Sequence, residues 1–310
     1  MPGFKEVFRE TGVPQPDFMV VPHKGENLVW FAGARGGGVS FSPDPKISIH
    51  AVRERDVSRI AGDYVRRHAT GMGLSAVEDA RKALWAAMFA ILHSNPGDLL
   101  LVSGKSPGWS RIKATHGGKT TILDVAVTKS QWIDISFRFL RHRDANGNLV
   151  PDTIWSPDDA SKWVAGLNWI YGPQVNVSFD LWDAEWVTLN QAPSQPISRN
   201  VFLNDIVGQK PAGPDLTVFL VGEWGGGYSG HTGGTFFHDV DAAVVTDRPS
   251  HPEIAKTIDP FMLSLAHEIA HSLRKERGFF GHHDRPNVLL SRGIQSLRLD
   301  KQLVMDINPP

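Results

Sequence analysis

Residues 259–278 read DPFMLSLAHEIAHSLRKERG, and this stretch decides the fold of the second half of the chain. Asp259 can cap a helix whose first residue is Pro260. Gly278 can close it after Arg274, Lys275 and Arg277, whose charges suit a carboxyl end. At about 100° per residue, Met262, Leu265, Ala266, Ile269 and Leu273 form one apolar stripe. His267 and His271 fall roughly opposite it, one turn apart, with Glu268 beside the first. One core face is therefore expected, with the two histidines looking into a different space. Imidazoles at i and i+4 can close together on one tetrahedral Zn²⁺ at about 2.0–2.1 Å. Glu268 is then placed to act as a general base toward a water beside the ion. The expected cofactor is one zinc per chain.

Working outward, Ile133–Leu140 alternates as a strand. Asp144-Ala145-Asn146-Gly147 is a turn or part of an Asp-rich calcium loop. Ser156-Pro157-Asp158-Asp159 starts a helix, with Ser at N-cap, Pro at N1 and acids in the first turn, and that helix is expected to stop before Gly172-Pro173. Strands Val175–Leu181, Leu216–Val221 and Ala242–Val245 come next, then the helix from Asp259 and a short one near Asp300–Ile307. The plan is an α+β layer. Glu223–His231 is a glycine-rich loop ahead of the last strand, where Tyr228 or His231 could face an oxyanion. His238-Asp239-Val240-Asp241 is a strand-leading turn or a cation site.

Downstream stands Gly281-His282-His283-Asp284-Arg285-Pro286-Asn287-Val288-Leu289-Leu290. With the HExxH, this run resembles the metzincin-like zinc metallopeptidases of bacterial type, and the likeness extends from about Ile133 to the end. It implies a zincin-like catalytic domain with a mixed sheet and an active-site helix. His267 and His271 would be the first two zinc ligands and Glu268 the catalytic base. His282 would be the third ligand, because it precedes Asn287 by five residues, with His283 and Asp284 as alternatives. Two departures stand out. Eight residues separate Leu273 from His282 where the family has three, and Leu290 stands where the family carries the Met of its Met-turn. The resemblance also implies that the last strand, Ala242, Ala243, Val244 and Val245, is a sheet edge serving as a shelf for extended peptide.

The first ~128 residues read as short strands around one helical insert. Phe18–Val21, Leu28–Ala32, Val39–Phe41, Ile47–Val52, Leu99–Ser103, Trp109–Ala114 and Thr121–Val127 are apolar or alternating runs cut by Gly and Pro. Ser75 can cap a helix to about His93, with Val77, Ala80, Leu84, Met88 and Ile91 on one face. Asp98–Val127 resembles the closing strands of bacterial immunoglobulin-like domains. Expected are a β-rich, immunoglobulin-like module over 1–128 with a helix at about 75–93, and the zincin-like domain over 129–310. Gly36-Gly37-Gly38 is no phosphate cradle, since no GxxxxGK[ST] surrounds it.

Composition narrows the partners. The chain has 310 residues and no cysteine, so thiol nucleophiles, disulfides and Cys-type metal sites are excluded. A net charge of −1, without long Lys/Arg blocks, argues against nucleic acid. The longest apolar run, Ala83–Leu92, is about half the ~18–20 residues a spanning helix needs. The amino terminus, MPGFKEVFRE, lacks a hydrophobic signal core, so a cytoplasmic location or export by a non-Sec route is expected. The expected partner is a peptide or protein substrate, and an inhibitor or immunity protein is left open. Two rivals stand beside a zinc endopeptidase: a non-catalytic binding or delivery protein with structural zinc, and a zinc hydrolase acting on peptidoglycan stem peptides. The intact Glu268 counts against the first, since a structural site needs ligands and no base.

Overall fold

In β3 (Glu26–Ala32) and β6 (Gly97–Gly104), nearly every residue is apolar and buried, which tells that both faces of their sheet are covered. In the computed structural model, residues 3–5, 18–32, 39–68, 74–94, 97–189, 206–222, 238–239, 241–246, 260–274, 299 and 301–310 are described. In chain order the first elements are β1 (Gly3–Lys5), β2 (Phe18–Pro22), β3, β4 (Val39–Pro43), β5 (Ile47–Ala51), α1 (Val57–His68), α2 (Leu74–Ser94), β6, β7 (Gly108–His116) and β8 (Lys119–Thr128). The remainder are β9 (Gln131–Arg143), β10 (Leu149–Pro151), α3 (Ala160–Val175), β11 (Val177–Leu189), β12 (Leu216–Val221), β13 (His238–Asp239), β14 (Ala242–Thr246), α4 (Pro260–Leu273) and α5 (Lys301–Ile307). Among the described residues, no helix is long and apolar enough to cross a membrane.

The chain divides into two compact units. One comprises Met1–Gln131, Asn168–Ser178 and Arg298–Pro310, and the other Trp132–Leu167 and Phe179–Leu297. The division crosses β9 between Gln131 and Trp132, α3 between Leu167 and Asn168, and β11 between Ser178 and Phe179.

The first unit is built on two four-stranded sheets. One runs β1-β3-β6-β5, all antiparallel, and the other β2-β8-β7-β4, in which β2 and β8 are parallel. Val29, Phe31, Leu100 and Val102 of the first sheet share a core with Met19, Val21, Ile112, Leu123, Val125 and Val127 of the second. The intervening residues Leu28, Trp30, Leu99 and Leu101 point the other way, into a core with Ile60, Tyr64 and Val65 of α1 and Leu84, Met88 and Ile91 of α2. The insert is thus two helices rather than one. Ser75 is the second residue of α2 and not its cap.

The last helix, placed with the second half by sequence, lies in this first unit. Leu303, Val304 and Ile307 of α5 are buried, and Lys301 Nζ lies 2.7 Å from Asp124 Oδ2 and 4.5 Å from the Trp109 ring centroid. Buried Asn308 donates through Nδ2 to the carbonyls of Lys129 at 2.9 Å and Val175 at 2.8 Å, and its Oδ1 accepts from Gln131 Nε2 at 2.9 Å.

The second unit holds a mixed sheet ordered β10-β9-β12-β14-β13, with β11 also paired to β9. β9, β12 and β14 are parallel neighbours, while β10 and β13 join antiparallel. On one face, Phe137 and Phe139 meet Trp163 of α3 at ring distances of 5.5 and 5.7 Å. On the other, Leu140, Phe219, Val221, Ala242 and Val244 pack with Leu189 and Ile206. The combination of sheets and helices is mixed α+β.

The expected start at Ser156 is a single 3₁₀ turn, Pro157–Asp159, which leads into α3, with the Ser156 N–H donating to Asp159 Oδ2 at 3.0 Å. α3 does not stop before Gly172-Pro173. A proline in a last turn removes one ladder bond only, and the helix ends at Val175. Asn176 takes the left-handed conformation there (φ 57°), and its N–H donates to the Gly172 carbonyl at 3.0 Å.

Candidate metal centre

α4 begins at Pro260, as its proline requires, but it is enclosed on all sides rather than on one stripe. Phe261, Leu263, Leu265, Ala266, Ile269 and Ala270 are buried, and so are Ser264, His267, Glu268, His271 and Ser272. The helix runs to Leu273, and the Arg274 N–H still donates to the Ala270 carbonyl at 3.1 Å. Its predicted cap Asp259 and terminator Gly278 lie outside the described residues.

Its setting comes from three neighbours. α4 packs along β14 and β13. Phe261 lies 4.7 Å from the Trp163 ring and 5.1 Å from that of Trp155. Met262 reaches over Gly166 of α3, where an added Cβ would stand 2.6 Å from Met262 Cε.

His267, Glu268 and His271 are exposed by only 2, 3 and 2 %. The two imidazole Nε2 atoms are 3.2 Å apart, and Glu268 Oε1 is 3.9 Å from His267 Nε2. The histidine rings cross at 78° with centroids 4.8 Å apart, and one ligand atom from each of the three residues falls within 4.8 Å of the others. Two nitrogens bound at about 2.05 Å to one tetrahedral ion stand about 3.3 Å apart. The observed separation matches that span, so the two imidazoles fit a shared cation. The carboxylate beside them is close enough to serve a water in the same space, and far enough from His267 Nε2 to leave that nitrogen to the ion. Among the described residues, this is the one His/Asp/Glu trio with metal-ligand spacing.

Other expected site residues fall as follows. His282, His283, Asp284 and Leu290 lie outside the described residues, as do Tyr228 and His231. Ala242, Ala243, Val244 and Val245 are on β14, all fully buried. β13 pairs outside β14, His238 with Ala243 and Asp239 with Ala242, so at Ala242 and Ala243 this strand is interior and not an edge. The strand outside them is β13, whose length of two residues gives no alternation to read. The Asp144 turn is a turn: its Oδ1 accepts from the N–H groups of Asn146 and Asn148, both at 2.8 Å, and its Oδ2 from Asn148 Nδ2 at 3.1 Å. Those bonds hold its carboxyl below the usual carboxylate range. Asp241 pairs with Lys210. Sequence reading missed the aromatic contacts of Trp155 and Trp163 with α4, since Trp155 precedes its helix and carries no periodic signal, and the periodicity of α3 does not tell which helix Trp163 meets.

No protein-family model and no curated protein matches the chain. Among solved structures, metalloproteinase-II from Bacteroides fragilis is similar at 10 % identity and a TM-score of 0.31, over 94 % of this chain and 84 % of that one. Domains 4 and 5 of the S-layer protein SbsC match at 12 % identity and a TM-score of 0.20, over 35 % of this chain and 40 % of theirs. Domains 5–6 of SbsC match at 12 % identity and a TM-score of 0.24, over 48 % of this chain and 67 % of theirs. The chain spans less than half of the SbsC fragment holding domains 4 and 5. Likenesses of this strength carry no weight for fold or activity.

Proposed function

We propose that the protein is a zinc-dependent endopeptidase of metzincin-like type. The observation that carries this reading is the 3.2 Å separation of the His267 and His271 Nε2 atoms on one buried helix, with Glu268 alongside. The third ligand in this reading is His282, with His283 and Asp284 as alternatives, and Leu290 stands in sequence where the family has Met. When bound, zinc supplies Lewis acidity toward a carbonyl oxygen and acidifies a water. Glu268 takes the proton of the attacking water on its carboxylate and passes it to the nitrogen of the departing amine. His267 and His271 keep their Nε2 lone pairs for the ion, which requires that any ring proton sit on Nδ1. The substrate is an extended peptide or protein segment, aligned along the strand outside β14.

The test is elemental analysis together with digestion of unstructured casein and of purified peptidoglycan. About one zinc per chain is expected, with casein cleaved. Glu268→Gln should keep the metal and lose at least ~100-fold in rate, the usual scale for a general base. His271→Ala should lose both metal and activity. A Gln variant that cleaves at the wild-type rate rejects the role of Glu268. Cleavage of peptidoglycan alone moves the substrate to stem peptides.

A further inference from the structure

The longest apolar run of the chain, Ala83–Leu92, lies on α2, and the core takes up only part of it. Leu84, Met88 and Ile91 are buried with β3, β6 and α1. At about 100° per residue the opposite side of the helix carries Ala83, Trp85, Ala86, Phe89 and Ala90. Asp79 and Lys82 stand at one end of that face and His93 at the other. Trp85 is 38 % exposed, the three alanines and the flanking Asp79, Lys82 and His93 are exposed too, and Phe89 is half-buried. The solvent side of a surface helix is ordinarily charged or polar. Two turns of apolar side chains pointing outward instead mark a face that another molecule covers.

The rings on this face narrow the choice of occupant. Trp85 and Phe89 stack at 4.9 Å with planes 17° apart, and Phe89 meets His93 at 4.1 Å and 30°. They form one wall along the helix, with faces turned to one another and edges outward. A sugar or other ring-shaped ligand needs an aromatic face, and within the wall each face is taken by its neighbour. Glu78 and Asp79 balance Arg81 and Lys82, so α2 offers no cationic surplus to a lipid surface. A second α2 fits both features. Laid antiparallel about a two-fold axis level with Ala86, the two helices bring Ala83 of each copy opposite Ala90 of the other, and these small side chains let the backbones approach closely. Each Phe89 then flanks the other copy's Trp85 and Lys82, and each Asp79 stands level with the other copy's His93, acid against imidazole at both ends. A parallel pair would set Asp79 beside Asp79 and His93 beside His93. We propose that the outward face of α2 binds a second copy of this chain, the two helices antiparallel about a two-fold axis at Ala86.

One helix pair is small beside the ~1,200–2,000 Å² of standard stable interfaces, so a dissociation constant in the micromolar range is expected. The test is sedimentation velocity of the full chain from ~1 to ~200 μM, over which the wild type should pass from monomer to dimer. Ala86→Glu and Ala86→Lys each set like charges against one another across the axis and should weaken association at least ~100-fold. Both are good helix formers at an exposed site, so the fold is kept, which circular dichroism checks. Mixed in equal amounts, the two variants should associate at least as tightly as the wild type, since opposite charges then meet at the axis. A wild type that stays monomeric at the top concentration overturns the proposal, and its cosedimentation with phosphatidylcholine vesicles would assign the face to a lipid surface instead. A dimer that survives both substitutions lies elsewhere on the molecule and overturns it equally. Variants that are monomeric alone and remain so when mixed reject the antiparallel two-fold.

Discussion

His68 ends α1 with its ring 4.6 Å from that of Tyr64, and its Nε2 is buried without a hydrogen-bond partner among the described residues. Burial, aided by the neighbouring Arg67 charge, lowers its pKa from 6.5 to about 3. In the unfolded chain the same imidazole takes up a proton near pH 6.5. Between these two values the unfolded state binds more protons, so stability is full above pH 6.5 and is lost as pH falls toward 3. The slope is on the order of 1.4 kcal/mol per pH unit. Urea midpoints measured from pH 7 to pH 4.5 should fall for the wild type and stay flatter for His68→Leu. That window lies above the range where carboxylates held down by partners, such as Asp124 beside Lys301, give up their own contribution. The helical spacing of His68 places it on the buried stripe of α1, but nothing in the sequence tells that its ring is held neutral there. His267 and His271 were legible for the opposite reason: their spacing is itself the chemistry.

At the scale of elements, two glycines inside helices should answer oppositely to alanine. Gly62 of α1 has nothing within 4 Å of an added Cβ, whereas one at Gly172 of α3 would stand 2.6 Å from His68 Nδ1. Gly62→Ala should raise stability by ~0.5–1 kcal/mol through backbone entropy and propensity. Gly172→Ala should lower it by ~1–3 kcal/mol despite the same propensity gain, since a buried ring has nowhere to move. Urea midpoints of the two variants check the pair of signs. Most strands could be read from sequence because β3 and β6 hold the apolar runs Leu28–Ala32 and Leu99–Val102 and β7 alternates. α1 could also have been read, since Val57, Ile60, Ala61, Tyr64, Val65 and His68 are buried at helical spacing. The end of α3 was misplaced because a Gly-Pro pair signals a stop only where no neighbour holds the chain, and here Asn27 Nδ2 donates to the Pro173 carbonyl at 3.0 Å. The strand outside β14 could not be read, being defined by its pairing alone.

For the whole molecule, zinc bound only by the folded state should raise the melting temperature. At 100 times its dissociation constant the gain is about 2.7 kcal/mol, reversed by a chelator, and scanning calorimetry with and without zinc checks it. A second expectation concerns the far end of the chain. Removing residues 299–310 takes away Leu303, Val304 and Ile307, each worth ~1.5–3 kcal/mol when buried, together with the three hydrogen bonds of Asn308. The first unit should then become sensitive to protease under conditions where the intact protein resists. Asn308→Ala alone should lower stability by ~1–3 kcal/mol, because the buried Val175 carbonyl it serves is left without that donor. That docking also bears on the order in which the molecule is made. A ribosome delivers β8 well before it delivers α5, and at ~5–20 residues per second the interval is on the order of ten seconds. Throughout that wait the two-sheet unit stands without its closing helix and without the buried side chains of Leu303, Val304 and Ile307. A nascent chain arrested before residue 299 would therefore carry the histidine helix on a molecule whose first-made half is still unsealed.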